Sequence, residues 1–431
     1  MSYLYSFIAV SVAGAELTNE EASLLSNNHA ICAVVLFTRN IINPSQLTYL
    51  VKQIRVIRED MIIMVDNEGL DQNITYNTRS GVWRMLDTQG QHNTAFPTPP
   101  PSQYTISQIF QESPEKGLDA AYKSGKALGE LLTMLKVMPL GVVLCSNPGN
   151  LAPYPNPKRT AIQTVIDDTP GLNTNETKVP VIPQKIEISQ RLSTASPEAL
   201  QKGWIIRGLG RSFGEDPLEQ IYPLAQAKLQ GLKAAGVVTN VKHAVDHGWS
   251  DADSHVEKSI DTRTEAALFE HLEVYKKLSE DKLLDSIMTS HVVYSESQDP
   301  INEFGLSAYW LNVLREQVGP EPVFMSDCLS MGAIKESSAI RKKEHTEDFE
   351  VNYLVEAICC ASNPMKYDKE AFISEDTGTH TDVVLVCNRP AAMIDRVLSF
   401  LTFKPDESVK NRLMRLHEWA KSLDKSTVFF P

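Results

Sequence analysis

The sequence lacks the marks of several large classes of protein. Its six cysteines (Cys32, Cys145, Cys328, Cys359, Cys360 and Cys387) are scattered over 431 residues and include no Cys-x-x-Cys pair. That spread excludes a disulfide framework, offers no zinc-site spacing, and makes a reducing compartment the expectation. No lysine or arginine precedes Arg39, so the apolar stretch from Leu4 to Leu17, with Ala13-Gly14-Ala15 in the place of a cleavage site, has no basic n-region. Alternation over Tyr3 to Val12 predicts a first β-strand instead. No later run approaches the roughly 18 apolar residues of a membrane span. Basic residues are in deficit, 41 against 54 acidic ones, and the formal net charge of -13 repels phosphate backbones and anionic lipid surfaces. The expectation is a cytoplasmic chain that takes neither nucleic acid nor membrane as partner. There is no internal repeat and no low-complexity tract.

Hydrophobic residues make up 42% of the chain, enough to bury a large core. Eight short β-branched runs recur: Phe7 to Val12, Ala33 to Thr38, Ile62 to Asp66, Gly141 to Cys145, Val237 to Lys242, Leu284 to Ser290, Val323 to Asp327 and Val383 to Cys387. Helical periods lie between them, among them a capping box Thr18-x-x-Glu21 and the segments Gln46 to Arg58, Gly117 to Leu135, Pro217 to Ala235, Thr264 to Leu278 and Ala308 to Gln317. Strands that alternate with helices and are apolar almost throughout form a parallel sheet covered by helices, and eight repeats favour closure. The predicted fold is α/β, a (β/α)8 TIM-type barrel forming a single domain over 1–431. Long loop insertions are expected near 71–103, 148–204 and 334–380, where Pro, polar or charged residues interrupt the pattern.

In such a barrel the reactive groups sit at the C-terminal ends of the strands. Four runs end in candidates: Asp66, Lys242-His243, His291 and Asp327. A lone strand-terminal aspartate is more often a cap than a catalyst, but several converging on one mouth point to a site. The densest cluster runs from Lys242 through His243, Asp246, His247, Asp251 and Asp253 to His255. It has three readings. His243, His247 and His255 with a carboxylate supply the ligand types of a zinc site, although the spacing is not that of a helical zinc motif. Alternatively, Asp253 holds His255 in one tautomer as a proton-transfer pair. The third reading is a solvated polar loop. The glycine pattern Gly208, Gly210 and Gly214 around Arg211 does not fit the dinucleotide fingerprint.

These residues fall into an ordered set of motifs. Val35-Leu36-Phe37-Thr38-Arg39-Asn40, Val65-Asp66-Asn67-Glu68-Gly69, Gly210-Arg211-Ser212-Phe213-Gly214-Glu215-Asp216-Pro217, Lys242-His243 with His247-Gly248, Asp253-Ser254-His255, Val292-Val293-Tyr294-Ser295 and Ser326-Asp327-Cys328-Leu329-Ser330-Met331 follow one another, with Tyr309-Trp310-Leu311 and Leu385-Val386-Cys387-Asn388. The set resembles the bacterial β-N-acetylglucosaminidases of glycoside hydrolase family 3, from near residue 1 to about residue 400 outside the insertions. The resemblance implies that Asp327 is the nucleophile of a retaining glycosidase. It implies that His255, oriented by Asp253, is the acid/base on a loop after the fifth strand. It also implies that Asp66, Arg211, Lys242 and His243 hold the sugar hydroxyls and the N-acetyl region, without metal or organic cofactor. The five residues Asp66, Arg211, Lys242, His243 and Asp327 are expected in one pocket, with His255 further out.

The chain also departs from the family pattern. A sugar-binding arginine usually follows the Asp-x-Glu-Gly segment, whereas Gly69 is followed by Leu70, Asp71, Gln72 and Asn73. Ala244-Val245-Asp246 replaces the usual Phe-Pro-Gly, putting an extra carboxylate beside the site by this reading. Cys328 stands for the second acid of Ser-Asp-Asp, and Cys145-Ser146-Asn147 stands where an aspartate is usual. The implied activity is an exo-β-N-acetylglucosaminidase acting on a small carbohydrate or a peptidoglycan-derived muropeptide. Two rivals are a degenerate member that only binds sugar or protein, and a metal-dependent barrel hydrolase using His243 and His247.

Overall fold

The computed structural model describes residues 2–68, 100–148, 204–207, 210–337, 349–364 and 380–424. Eight parallel strands among them build the barrel: β1 (Phe7–Ser11), β2 (Ile31–Leu36), β3 (Ile62–Val65), β4 in two pieces (Met138–Pro139 and Val142–Val143), β5 (Asn240–Ala244), β6 (Ser286–Thr289), β7 (Val323–Cys328) and β8 (Val383–Val386). Each pairs in parallel with its neighbour, and β8 returns to β1 through Val383 opposite Phe7. Closure rests on the broken strand. Its first piece pairs with β3, its second with β5, and the chain between them joins the two edges. Gly141 makes the break with φ of 95°, where a Cβ would meet the Lys242 side chain at 2.5 Å. The same glycine therefore admits the stem of a site residue.

The period-2 alternation of the strands divides the core. Ala33 and Val35, Ile62 and Met64, Val323 and Met325, and Val383 and Leu385 fill the barrel interior. Their neighbours Val34, Leu36, Ile63, Val65, Phe324, Val384 and Val386 join the larger cluster shared with the helices. Val409, Leu413 and Leu416 of the helix Glu407–Asp424 belong to the interior cluster, so this helix plugs the end where the strands begin. The other end is left for chemistry.

Local signals account for most of the helices. Thr18 and Glu21 form the reciprocal capping box ahead of Asn19–Asn27. Asn43 caps Pro44–Ile57, and Ser307 caps Ala308–Val318 through Trp310 N. The expected helix from Pro217 to Ala235 is a π-turn, Pro217–Ile221, followed by the helix Tyr222–Ala234. The fifth strand begins later than its apolar run, because Val237 follows Gly236, whose φ of 78° turns the chain.

The stretch 334–380 includes a helix, Phe349–Ser362, packed on the helix Ala391–Ser399. Its periodicity is weak because Val351, Tyr353, Leu354, Ala357, Ile358, Cys359, Cys360 and Ala361 bury nearly its whole circumference. The remainder of the three expected insertions, 71–99, 149–203, 338–348 and 365–379, lies outside the described residues, as do Gly69 to Asn73. No helix among the described residues is long and apolar enough to cross a membrane.

Candidate active site

At the C-terminal ends of the strands a cavity of about 350 Å³ is lined by Asp66, Lys242, His243, His255, Asp327 and Cys328, among others. Residues from β3, β5, β7 and the loop after β5 thus meet as the barrel requires. His255 stands on the cavity wall with the rest, not outside it.

Asp327 lies near the end of β7, where its Oδ1 accepts the Cys328 N–H at 2.7 Å and its Oδ2 is 3.8 Å from His243 Nε2. Burial acts to raise its carboxyl, but His291, His255, the Cys328 amide and Lys242 outweigh it and hold Asp327 below the ordinary carboxylate value. It is thus a carboxylate held ionised at the cavity wall. His291 itself is buried behind the wall and donates from Nε2 to the Cys328 carbonyl at 3.2 Å.

Opposite stands a chain of charges. Lys242 Nζ is 2.8 Å from Asp66 Oδ1 and 2.8 Å from Glu68 Oε1. Glu68 in turn accepts two bonds from Arg211, Nε to Oε2 at 2.7 Å and Nη2 to Oε1 at 3.0 Å. The Arg211 side chain, expected from the sequence among the sugar-binding groups, is 1% exposed and pairs bidentately with Glu68 outside the cavity lining. Sequence reasoning did not single out Glu68. The signal was available, a second carboxylate two residues after Asp66, which on an extended segment shares its side.

The loop after β5 separates roles that the sequence presented as one cluster. Asp246, expected as an extra carboxylate beside the site, is fully buried away from the cavity. It accepts from Ser146 N at 3.0 Å, Ser146 Oγ at 2.5 Å and Gly248 N at 2.7 Å, and pairs with Arg263 at 3.0 Å. It ties the ends of β4 and β5 to the small parallel sheet of Ser259–Thr264 and Val292–Glu296. His247 has both ring nitrogens on hydroxyls, Ser250 Oγ at 2.6 Å and Ser254 Oγ at 2.9 Å, and burial pushes its imidazole down to about 4. It organises the loop as a neutral ring and has no lone pair left for the metal reading.

Asp253 and His255 form the expected pair, with Nδ1 to Oδ1 at 2.7 Å and the His255 amide on the same oxygen at 3.0 Å. Their loop is pinned to the segment after Asp327: Gly332 N donates to His255 O at 2.9 Å and Ala333 N to Ser254 O at 3.0 Å. Gly332 permits this approach, since a Cβ there would meet Val256 O at 2.0 Å. The segment after Asp327 is thereby the seat of the loop that carries His255.

Residues 203–347, which include Arg211, Lys242, Asp253, His255 and Asp327, match the glycosyl hydrolase family 3 N-terminal domain. Over that segment the chain is similar to glycoside hydrolase family 3. A curated beta-hexosaminidase of Haemophilus ducreyi is 24% identical over 414 residues, 95% of this chain and 89% of the relative. One from Psychromonas ingrahamii is 27% identical over 328 residues, 75% and 74% of the two chains. Neisseria gonorrhoeae NagZ in complex with N-trifluoroacetyl-D-glucosamine superposes with a TM-score of 0.64 at 21% identity, covering 99% of this chain and 95% of that one. The barrel is thus the family's fold.

Proposed function

We propose that this chain is a retaining exo-β-N-acetylhexosaminidase, with N-acetylglucosaminides as its substrates. The observation that carries the reading is a carboxylate held ionised, Asp327, in one cavity with an imidazole whose Nδ1 is fixed by Asp253. The curated relatives named beta-hexosaminidase and the NagZ complex support the sugar class.

In this reading Asp327 attacks the anomeric carbon while His255 gives the proton from Nε2 to the departing oxygen, leaving a glycosyl ester on Asp327. The neutral imidazole then takes a proton from water, which attacks the anomeric carbon and frees the carboxylate. Asp253 keeps the proton on Nδ1 and stabilises the imidazolium, so one ring serves both steps. Asp66, Lys242 and His243 hold the sugar hydroxyls and the N-acetyl region, and Arg211 acts through Glu68. A cavity of about 350 Å³ is at the small end of ligand sites and suits one terminal sugar. We further propose a muropeptide aglycone and a cytoplasmic location, the latter supported by six unpaired cysteines.

The test is release of chromophore from an aryl β-N-acetylglucosaminide and from its β-glucoside analogue. Turnover of the first alone is expected. Turnover of neither, with sugar binding retained, overturns the reading.

A further inference from the structure

Two cysteines of this chain open into the sugar cavity side by side. Cys328 ends β7 directly after Asp327, and Cys387 follows β8, its neighbour in the sheet. The Cys387 N–H donates to Cys328 Sγ at 3.3 Å, and that sulfur lies 3.8 Å from the Cys387 carbonyl oxygen. Ser330 Oγ lies 3.0 Å from the sulfur and 2.9 Å from the Cys387 carbonyl, so its one proton can turn to either. A backbone N–H aimed at the sulfur favours its thiolate. An amide nitrogen is only two bonds from its own Cβ, so the 3.3 Å contact puts the Cys387 side chain within reach of a disulfide.

We propose that Cys328 and Cys387 are an oxidisable pair, a modification site for hydroperoxides inside the sugar cavity, whose disulfide stops turnover. The effect on turnover rests on the hydrolase reading above; the chemistry of the pair does not. The Cys328 thiolate attacks one peroxide oxygen, the O–O bond breaks, and the leaving oxygen takes a proton to depart as water or an alcohol. Cys328 is then a sulfenic acid. The Cys387 sulfur attacks it, the S–O bond breaks, and hydroxide leaves with the Cys387 proton as water. Two thiols have lost two electrons and two protons, and one hydroperoxide has been reduced.

The division of labour follows from the surroundings. The Cys387 thiol donating to it is the largest influence on Cys328, and against burial it brings Cys328 down to about 6, while the same contact and burial push Cys387 well up. Cys328 attacks and Cys387 resolves. Cys32 and Cys145, buried and pushed up to about 12, do not compete. The link to turnover is the Cys328 amide, which holds Asp327 Oδ1 at 2.7 Å. Drawing the Cys328 sulfur onto Cys387 shifts that strand end, and a displacement of about 1 Å at a reacting group costs roughly a hundredfold in rate.

The test treats the full chain with hydrogen peroxide and reads two things, the peptide map and the rate relative to the same protein untreated. A Cys328–Cys387 linked peptide is expected, together with a rate about a hundredfold lower that dithiothreitol restores. In Cys387→Ala, and in Cys387→Ser should the first fold poorly, peroxide with dimedone should tag Cys328 and no linked peptide should form. Failure to find the linked peptide in the wild type overturns the proposal, and so does a linked peptide with an unchanged rate. A reduced protein with no hydrolysis counts against the hydrolase reading only, because the peptide map still decides whether the pair forms.

Discussion

Lys242 Nζ stands 2.8 Å from both Asp66 Oδ1 and Glu68 Oε1, joining a carboxylate on the cavity wall to one buried behind it. The chain Asp66, Lys242, Glu68, Arg211 is neutral as a whole, and three of its members, Lys242, Glu68 and Arg211, are almost wholly buried. Breaking such an arrangement at one point costs more than removing a whole pair, since the lone charge keeps its desolvation penalty. Glu68→Met should therefore destabilise the protein by about 3–5 kcal/mol in urea unfolding. Glu68→Met with Arg211→Met should recover part of that loss. Additive losses in the double variant would contradict the pairing.

The Asp253 and His255 pair predicts a dependence on the leaving group. General acid catalysis contributes roughly 10²–10⁴-fold, and least where the departing oxygen needs little protonation. His255→Ala should lower kcat by that order on an alkyl or sugar aglycone and by much less on a dinitrophenyl glycoside. Asp253→Ala should follow the same pattern more weakly, because it removes the positioning of the ring. Equal losses on both aglycones in His255→Ala would remove His255 from the proton transfer.

Much of this was legible in the sequence, and the limits have physical causes. The eight strands were readable because a short, almost continuous apolar run is a local signal of a strand buried on both faces, as in Ile62 to Val65. The strand-end residues Asp66, Lys242, His243 and Asp327 followed from the barrel rule, and they meet in one cavity. Arg211 and Glu68 were harder, being 143 positions apart with an ion pair that no local pattern encodes. Asp246 misled because a carboxylate among histidines reads as a site, whereas its partners Ser146, Arg263 and His271 come from other elements. The seat of the His255 loop on Gly332 was likewise invisible, since one glycine does not announce what comes close to it.

That seat gives a further prediction. Gly332→Ala puts a methyl group where Val256 O now lies, so the loop must shift and the two backbone bonds from Gly332 and Ala333 must lengthen. A displaced acid/base should lower kcat by roughly tenfold to a hundredfold. KM should change less than kcat, because Asp66, Lys242 and His243 stand at the ends of β3 and β5 and not on the displaced loop. A variant with wild-type kcat would show that the loop does not depend on this contact.

Asp246 predicts the acid limit of stability. Burial acts to raise its carboxyl, but His271, Arg263, the Ser146 hydroxyl and the Gly248 amide outweigh it and hold the folded value well below the ordinary one. A group depressed on folding stabilises fully above its unfolded value of about 3.9, and that contribution fades as pH falls toward the folded value. Asp246→Asn should accordingly lose about 3 kcal/mol at neutral pH and show a flatter decline of stability below about pH 4. Parallel stability curves for the two proteins over that range would contradict the assignment.

The central claim is that Asp327 carries the sugar between the two steps. The direct measurement is peptide mapping after reaction with a β-N-acetylglucosaminide made slow to hydrolyse and quick to react, such as a fluorinated analogue with an activated leaving group. The account predicts a single glycosyl adduct, on the peptide of Asp327 and absent in Asp327→Ala. Turnover with no adduct at any time, or an adduct mapped to another carboxylate, would contradict it.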